Sequence, residues 1–182
     1  MAQVKLSKVR IAFVDVFKPS EKFDKYGLVA IIEPKSENVK TLDAAVDLAA
    51  KEKWGAKAEG ILKAIKAKDD CGWHKAAKMS SSGEEYDGFQ GMYHVNTTNS
   101  TKPTVLDRDK TPLDASSGKP YSGCYCNLII ECWAQDNSWG KKINFSLKGV
   151  QFHSDGEAFS GGGVASEDDF DDIADGADSD ML

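Results

Sequence analysis

No stretch of about 18 apolar residues occurs anywhere in the chain, so no membrane-spanning helix is expected. The opening MAQVKLSKVR lacks the apolar segment of a secretory signal, which leaves a cytosolic protein as the expectation. Cysteine is scarce, with Cys71, Cys124, Cys126 and Cys132 forming no C-x-x-C pair, and in that compartment reduced thiols are expected rather than disulfides. Neither G-x-G-x-x-G nor G-x-x-x-x-G-K-[ST] is present, and FSGGG (159–162 and the residue after it) has no lysine or helix context to hold a phosphate. His74, His94 and His153 lie too far apart in sequence to share metal-ligand spacing. No nucleophile signature accompanies any cysteine. Together these absences leave no positive sign of an enzyme, and neither a cofactor nor a metal is expected. The last deficit is of positive charge: no lysine or arginine follows Lys148, while ten of the 29 acidic residues fall in the last 28 positions.

What remains is a body and an arm of opposite sign. Residues 1–154 hold all 23 lysines and arginines against 19 acids, about +4, and residues 155–182 carry only acids. With 182 residues, one core is expected. Residues 3–17 and 26–34 are rich in β-branched and aromatic side chains and are separated by KPSEKFDK, which predicts two strands of an antiparallel hairpin. Ser36 is placed to cap a helix with Val39, Leu42, Val46 and Ala49 on one face, ending near Trp54 and Gly55. A second helix carries Ala58, Ile61, Leu62 and Ile65. Residues 71–90 show no sustained period and read as loop. Strand-like runs resume at 91–98, 103–106, 123–135 and 142–152, the last two joined by the turn sequence DNSWGK. The pattern predicts a mainly β (α+β) domain over 1–154, barrel-like and antiparallel, with inserted helices. Residues 155–182 read as a glycine-rich linker and a flexible, disordered acidic tail.

Parity along 123–135 puts Cys124, Cys126 and Cys132 on the same face as Leu128 and Ile130, so these thiols are expected to be core residues. Tyr125 and Trp133 fall on the opposite face with Ile129. Aromatics interleaved with lysines are the most distinctive feature of the body. One group contains Trp73, Lys75, Lys78, Tyr86, Phe89 and Tyr93; another contains Tyr121, Tyr125, Trp133, Trp139, Lys141, Lys142 and Lys148. Single-stranded nucleic acids are bound by this combination, because rings stack on bases at about 1–3 kcal/mol each while cations follow the phosphates. A body of about +4 is weak for a protein relying on charge alone, so stacking plus a local basic groove is the better match.

The segment YSGCYCNLIIECWAQDNSWGKKINFSLKGVQFHSDGEAFSGG (121–162), the KPTVLDRD before it (102–109) and the acidic end resemble the single-stranded DNA-binding proteins of tailed bacteriophages. That resemblance implies a five-stranded antiparallel OB-fold barrel with inserted helices, DNA bound across the barrel, and a tail that engages replication or recombination proteins. The function expected is sequence-independent coating and protection of ssDNA in phage replication and recombination, in the cytoplasm of the infected host, with a homodimer left open. The alternative is an interaction adaptor whose acidic tail is the main binding element. Because no motif fixes the groove, its residues come from the aromatic and basic pattern: Trp73, Tyr86, Phe89, Tyr93, Tyr125 and Trp133 for stacking, and Lys75, Lys78, Lys102, Arg108, Lys142 and Lys148 for phosphates. The partner-binding tail is expected to use Asp168, Asp169, Phe170, Asp171, Asp172, Ile173, Met181 and Leu182, the apolar members giving a partner something to bury. Its carboxylates are expected to compete with DNA for the groove.

Overall fold

The computed structural model describes residues 2–159. The tail residues Asp168 to Asp172, Ile173, Met181 and Leu182 lie outside the described residues. Long strands form where β-branched residues alternate or run together: β1 Ala2–Asp15, β2 Tyr26–Ile32, β4 Tyr93–Asn99, β6 Tyr125–Asn137 and β7 Gly140–Ser154. Two short strands, β3 Trp73–His74 and β5 Thr104–Leu106, complete a seven-stranded sheet in the order β3-β4-β2-β1-β6-β7-β5. Most neighbours are antiparallel, but β5 runs parallel to β7, and β4 meets β7 in parallel through Thr98 and Ser146. The chain is therefore mainly β with a seven-stranded mixed sheet, which corrects the expected five strands and purely antiparallel pairing. The two extra strands are two and three residues long, too short to show a period of their own, and parallel pairing depends on crossovers that local patterning does not encode.

Helix α1, Glu37–Trp54, and helix α2, Ala58–Ala67, stand between β2 and β3 as their apolar stripes require. Leu42, Ala45, Val46, Ala49 and Ala50 of α1 are buried, as are Ala58, Leu62 and Ile65 of α2. Ser36 is the N-cap residue by backbone position, but its hydroxyl donates to the Glu33 carbonyl at 2.7 Å and does not cap the helix. The α1 stripe shares one core with inward side chains of β1, β2, β6 and β7, among them Val4, Leu6, Ile11, Leu28, Ile32, Leu128, Ile130, Ile143 and Leu147. Each such side chain removed from water contributes about 1.5–3 kcal/mol. The expected parity of β6 holds: Cys124, Cys126 and Cys132 are wholly buried with Leu128 and Ile130, and Cys71 joins the same core. Burial pushes the Cys132 thiol up to about 12 and raises Cys71.

In β1 the inward positions change parity midway. Ala2, Val4 and Leu6 point in, then Val9 and Ile11, the register against β6 shifting between Leu6 and Val9 where Lys8 takes a left-handed φ of 47°. A second irregularity against β2, between Ala12 and Asp15, accompanies Phe13 at φ 53°. Both are bulges, which turn side chains to the opposite face.

The candidate nucleic-acid interface

On the outer face of β1, β2 and β4 lies a small apolar cluster separate from the main core. Ala12, Val29, Ile31 and Phe89 are buried in it, with Ala77, Tyr86, Met92 and Phe159 packed at its edge. Register places Ala12 beside Val29, Val29 beside Asn96 and Ile31 beside His94, so one patch spans three strands. The segment after β3 is laid over this patch through turns at Ser80–Glu84 and Tyr86–Phe89. Phe13 stands on top, 44 % exposed, with its ring 5.0 Å from Tyr86 in an edge arrangement and 6.4 Å from Phe89. The Lys78 ammonium is 6.0 Å from the Phe13 ring and donates to Asn96 Oδ1 at 3.4 Å. Burial lowers the pKa of Lys78.

Beneath these rings His74 and His94 stack at 4.5 Å. His94 donates from Nδ1 to the Ala76 carbonyl at 2.7 Å, and Phe89 meets it edge-on. Burial holds His94 down to about 4, so it is neutral; burial also lowers His74, whose Nδ1 is 3.0 Å from Asp69. The far edge of the patch is closed by residues 155–159. Arg10 donates to the carbonyls of Gly123 and Glu157 at 3.0 and 2.5 Å, and its guanidinium lies 4.1 Å from the centre of the Phe159 ring. Phe159 bears directly on Gly88, which has φ 86° and leaves no room for a side chain. Asp155 accepts from the Tyr121 hydroxyl at 2.7 Å.

The expected groove residues fall in several places. Tyr86, Phe89 and Lys78 come together in the patch, although Phe89 is only 1 % exposed and supports the rings without offering its own face. Trp73 is corrected to a core residue: it is 6 % exposed, donates from Nε1 to Asp43 at 2.8 Å and meets the half-buried Tyr93 edge-on at 5.8 Å. Its neighbour Lys75 is bound by the same carboxylate at 2.9 Å. The sequence group is split because β3 sends Trp73 to the inner side of the sheet while the following residues cross to the outer side. Tyr125 and Trp133 are half-buried on the outer face of β6, as parity predicts; Trp133 donates to Ser146 Oγ at 3.0 Å. Lys142 is half-buried beside Gln135 on the β6–β7 arm, and Lys102 sits 5.6 Å from the Phe17 ring. Arg108 and Lys148 are exposed near β5 and β7.

Phe13, Arg10, His74 and Phe159 were not among the expected site residues. The only sequence signal for Phe13 is misleading, since it shares parity with the inward Ile11 and reaches the surface through the bulge. Among the described residues no group of three or more His, Cys, Asp or Glu is arranged to hold a metal ion, and no helix is long and apolar enough to cross a membrane.

A ring cluster with Phe13 exposed at its top and cations at its margin thus lies on the outer face of the sheet. The chain belongs to the family described as "Enterobacter phage Enc34, ssDNA-binding protein", whose pattern matches residues 2–182. It is 35 % identical over 186 residues to the p50 protein of Acyrthosiphon pisum secondary endosymbiont phage 1, covering 99 % of this chain and 98 % of that one. Its fold is similar to the single-stranded DNA-binding protein of bacteriophage Enc34 solved in complex with ssDNA, with a TM-score of 0.71, 24 % identity, and 87 % and 89 % of the two chains covered. It is also similar to gp2.5, the single-stranded DNA-binding protein of bacteriophage T7, with a TM-score of 0.54, 15 % identity, and 96 % and 94 % covered. This is a family of binding proteins and not of enzymes, in line with the expectation from the sequence.

Proposed function

We propose that this protein binds single-stranded DNA without reading its sequence, and coats and protects it during phage replication and recombination in the infected cell. The observation that carries this reading is the exposed Phe13 ring set edge-on to the half-buried Tyr86 over a preformed apolar bed, with Lys78 and Arg10 at its edges. Such a platform accepts any base, because every base has a π-face. The family membership and the fold of the Enc34 protein support the same reading. The pairing circuit β1–β2–β4–β7–β6, returned to β1, follows the connectivity of an OB-type barrel, with Thr98 and Ser146 as its closing contact. Of the rings expected from the sequence, Tyr86 remains the proposed stacking residue, joined by Phe13; Tyr93, Tyr125 and Trp133 would serve only strands that extend beyond the patch.

The acidic tail is proposed to compete with DNA and, once displaced, to recruit replication or recombination proteins. Support comes from the described residues that precede it: residues 155–159 are seated along the patch against Arg10, and the eight acids between 167 and 180 follow them in the sequence. The deciding measurement is anisotropy of labelled oligo-dT with the full chain across a salt series. Saturable binding is expected; no binding by either the full chain or one ending at residue 159 would reject the reading and leave the adaptor role.

A further inference from the structure

Away from the rings, an open groove of about 630 Å3 runs between β5 and β1 across the outer face of β6 and β7. Lys5, Lys110 and Lys148 line it, together with Gln3, Asn127 and Gln151, and no acidic side chain does. Among the described residues none of the three ammonium groups takes part in an ion pair. Two of the amides, Asn127 and Gln151, are fixed by a relay across four segments: the Lys8 backbone N–H donates to Asn127 Oδ1 at 2.9 Å, Asn127 Nδ2 to Gln151 Oε1 at 3.3 Å, and Gln151 Nε2 to the Arg108 carbonyl at 3.2 Å. Ile129, Leu106 and Val150 form the apolar floor. No aromatic ring lines the groove.

We propose that this groove is a second binding track for the same DNA strand, one that holds the sugar-phosphate backbone without stacking its bases. The inference rests on the ssDNA-binding reading above. Lysines free of ion pairs beside ordered amides suit an anionic chain, and the missing rings mean that nearly all of the binding energy there is electrostatic. The two surfaces are connected along β1: Arg10 borders the patch, the exposed Lys8 follows, and Lys5 enters the groove roughly 17 Å from Arg10 at about 3.3 Å per residue. The chain's own acids are the competing occupant. The described residues end at Phe159, which lies against Gly88 and Arg10 at the ring patch.

The test compares full-length wild type with the triple variant Lys5→Gln, Lys110→Gln, Lys148→Gln, using oligo-dT of about 6 and about 25 nucleotides, one near the lower end of and one beyond the roughly 4–16 nucleotides covered by one OB fold. Each phosphate contact on a single strand contributes about 0.7 to the salt slope, so for the long oligomer the slope should flatten by about 2, with affinity lost chiefly at low salt. Binding of the short oligomer should be unchanged. A control variant, Lys53→Gln, Lys57→Gln, Lys63→Gln, removes the same charge from exposed helical positions and should behave as wild type. An unchanged long-oligomer slope in the groove variant, an equal loss with the short oligomer, or an equal effect in the control would each overturn the second track. Failure of wild type to bind either oligomer would instead reject the ssDNA reading itself.

Discussion

Phe13 and Trp73 show how little a residue's type says about its task. Both are aromatic, yet one is 44 % exposed on a bulge and the other 6 % exposed against Asp43. Phe13→Ala should weaken oligo-dT binding by about 1–3 kcal/mol, the value of one stacked base, with an unchanged denaturation midpoint. Trp73→Ala should do the reverse, costing about 3–5 kcal/mol of stability from a lost core ring and leaving the patch chemistry in place. Anisotropy and denaturant titration on the two variants separate these outcomes. His94 gives a second residue-scale expectation. Its pKa is held at about 4 in the folded chain against about 6.5 unfolded, so the unfolded chain binds more protons between those values. Stability should therefore fall as pH drops from about 6.5 toward 4, by at most about 1.4 kcal/mol per pH unit, with His74 shifted in the same direction. Denaturation midpoints along that range should show the trend, and His94→Gln should reduce it.

At the scale of elements, the strands and helices follow from their local patterns, whereas their departures from regularity make the site. The two bulges in β1 bring Phe13 outward and set Lys8 against Asn127. The stretch 155–159 is ordered by Gly123, whose φ of 110° and contact with the Glu157 carbonyl exclude a Cβ. Gly123→Ala should release that stretch from Arg10 and the ring patch, and limited proteolysis should then cleave between residues 154 and 159 faster than in wild type. Equal cleavage rates would show that the Phe159 contacts hold the stretch without help from the glycine.

Across the whole molecule, charge and fold oppose each other: a body of about +4 carries an arm of ten acids whose first residues lie on the proposed interface. Removing residues 160–182 should tighten ssDNA binding, most at low ionic strength where screening is weakest. Salt-dependent titration of the truncated and full chains checks this, and equal affinities would exclude self-competition.

The strand-rich class, both helices, the core thiols and the division of charge were legible in the sequence, because each depends on the period or composition of a contiguous segment. The patch was legible only in part. Tyr86, Phe89 and Lys78 could be picked out as an aromatic and basic group, but whether a ring faces solvent or core depends on which side of the sheet its segment crosses, and that separated Trp73 from Tyr86. Phe13 needed a bulge, Arg10 and Phe159 needed chain ends 149 positions apart to meet, and β3 and β5 needed partners distant in sequence. Composition and periodicity thus determined what the chain is built from, while long-range pairing decided which side chains share a surface, since that proximity is created only when the sheet closes.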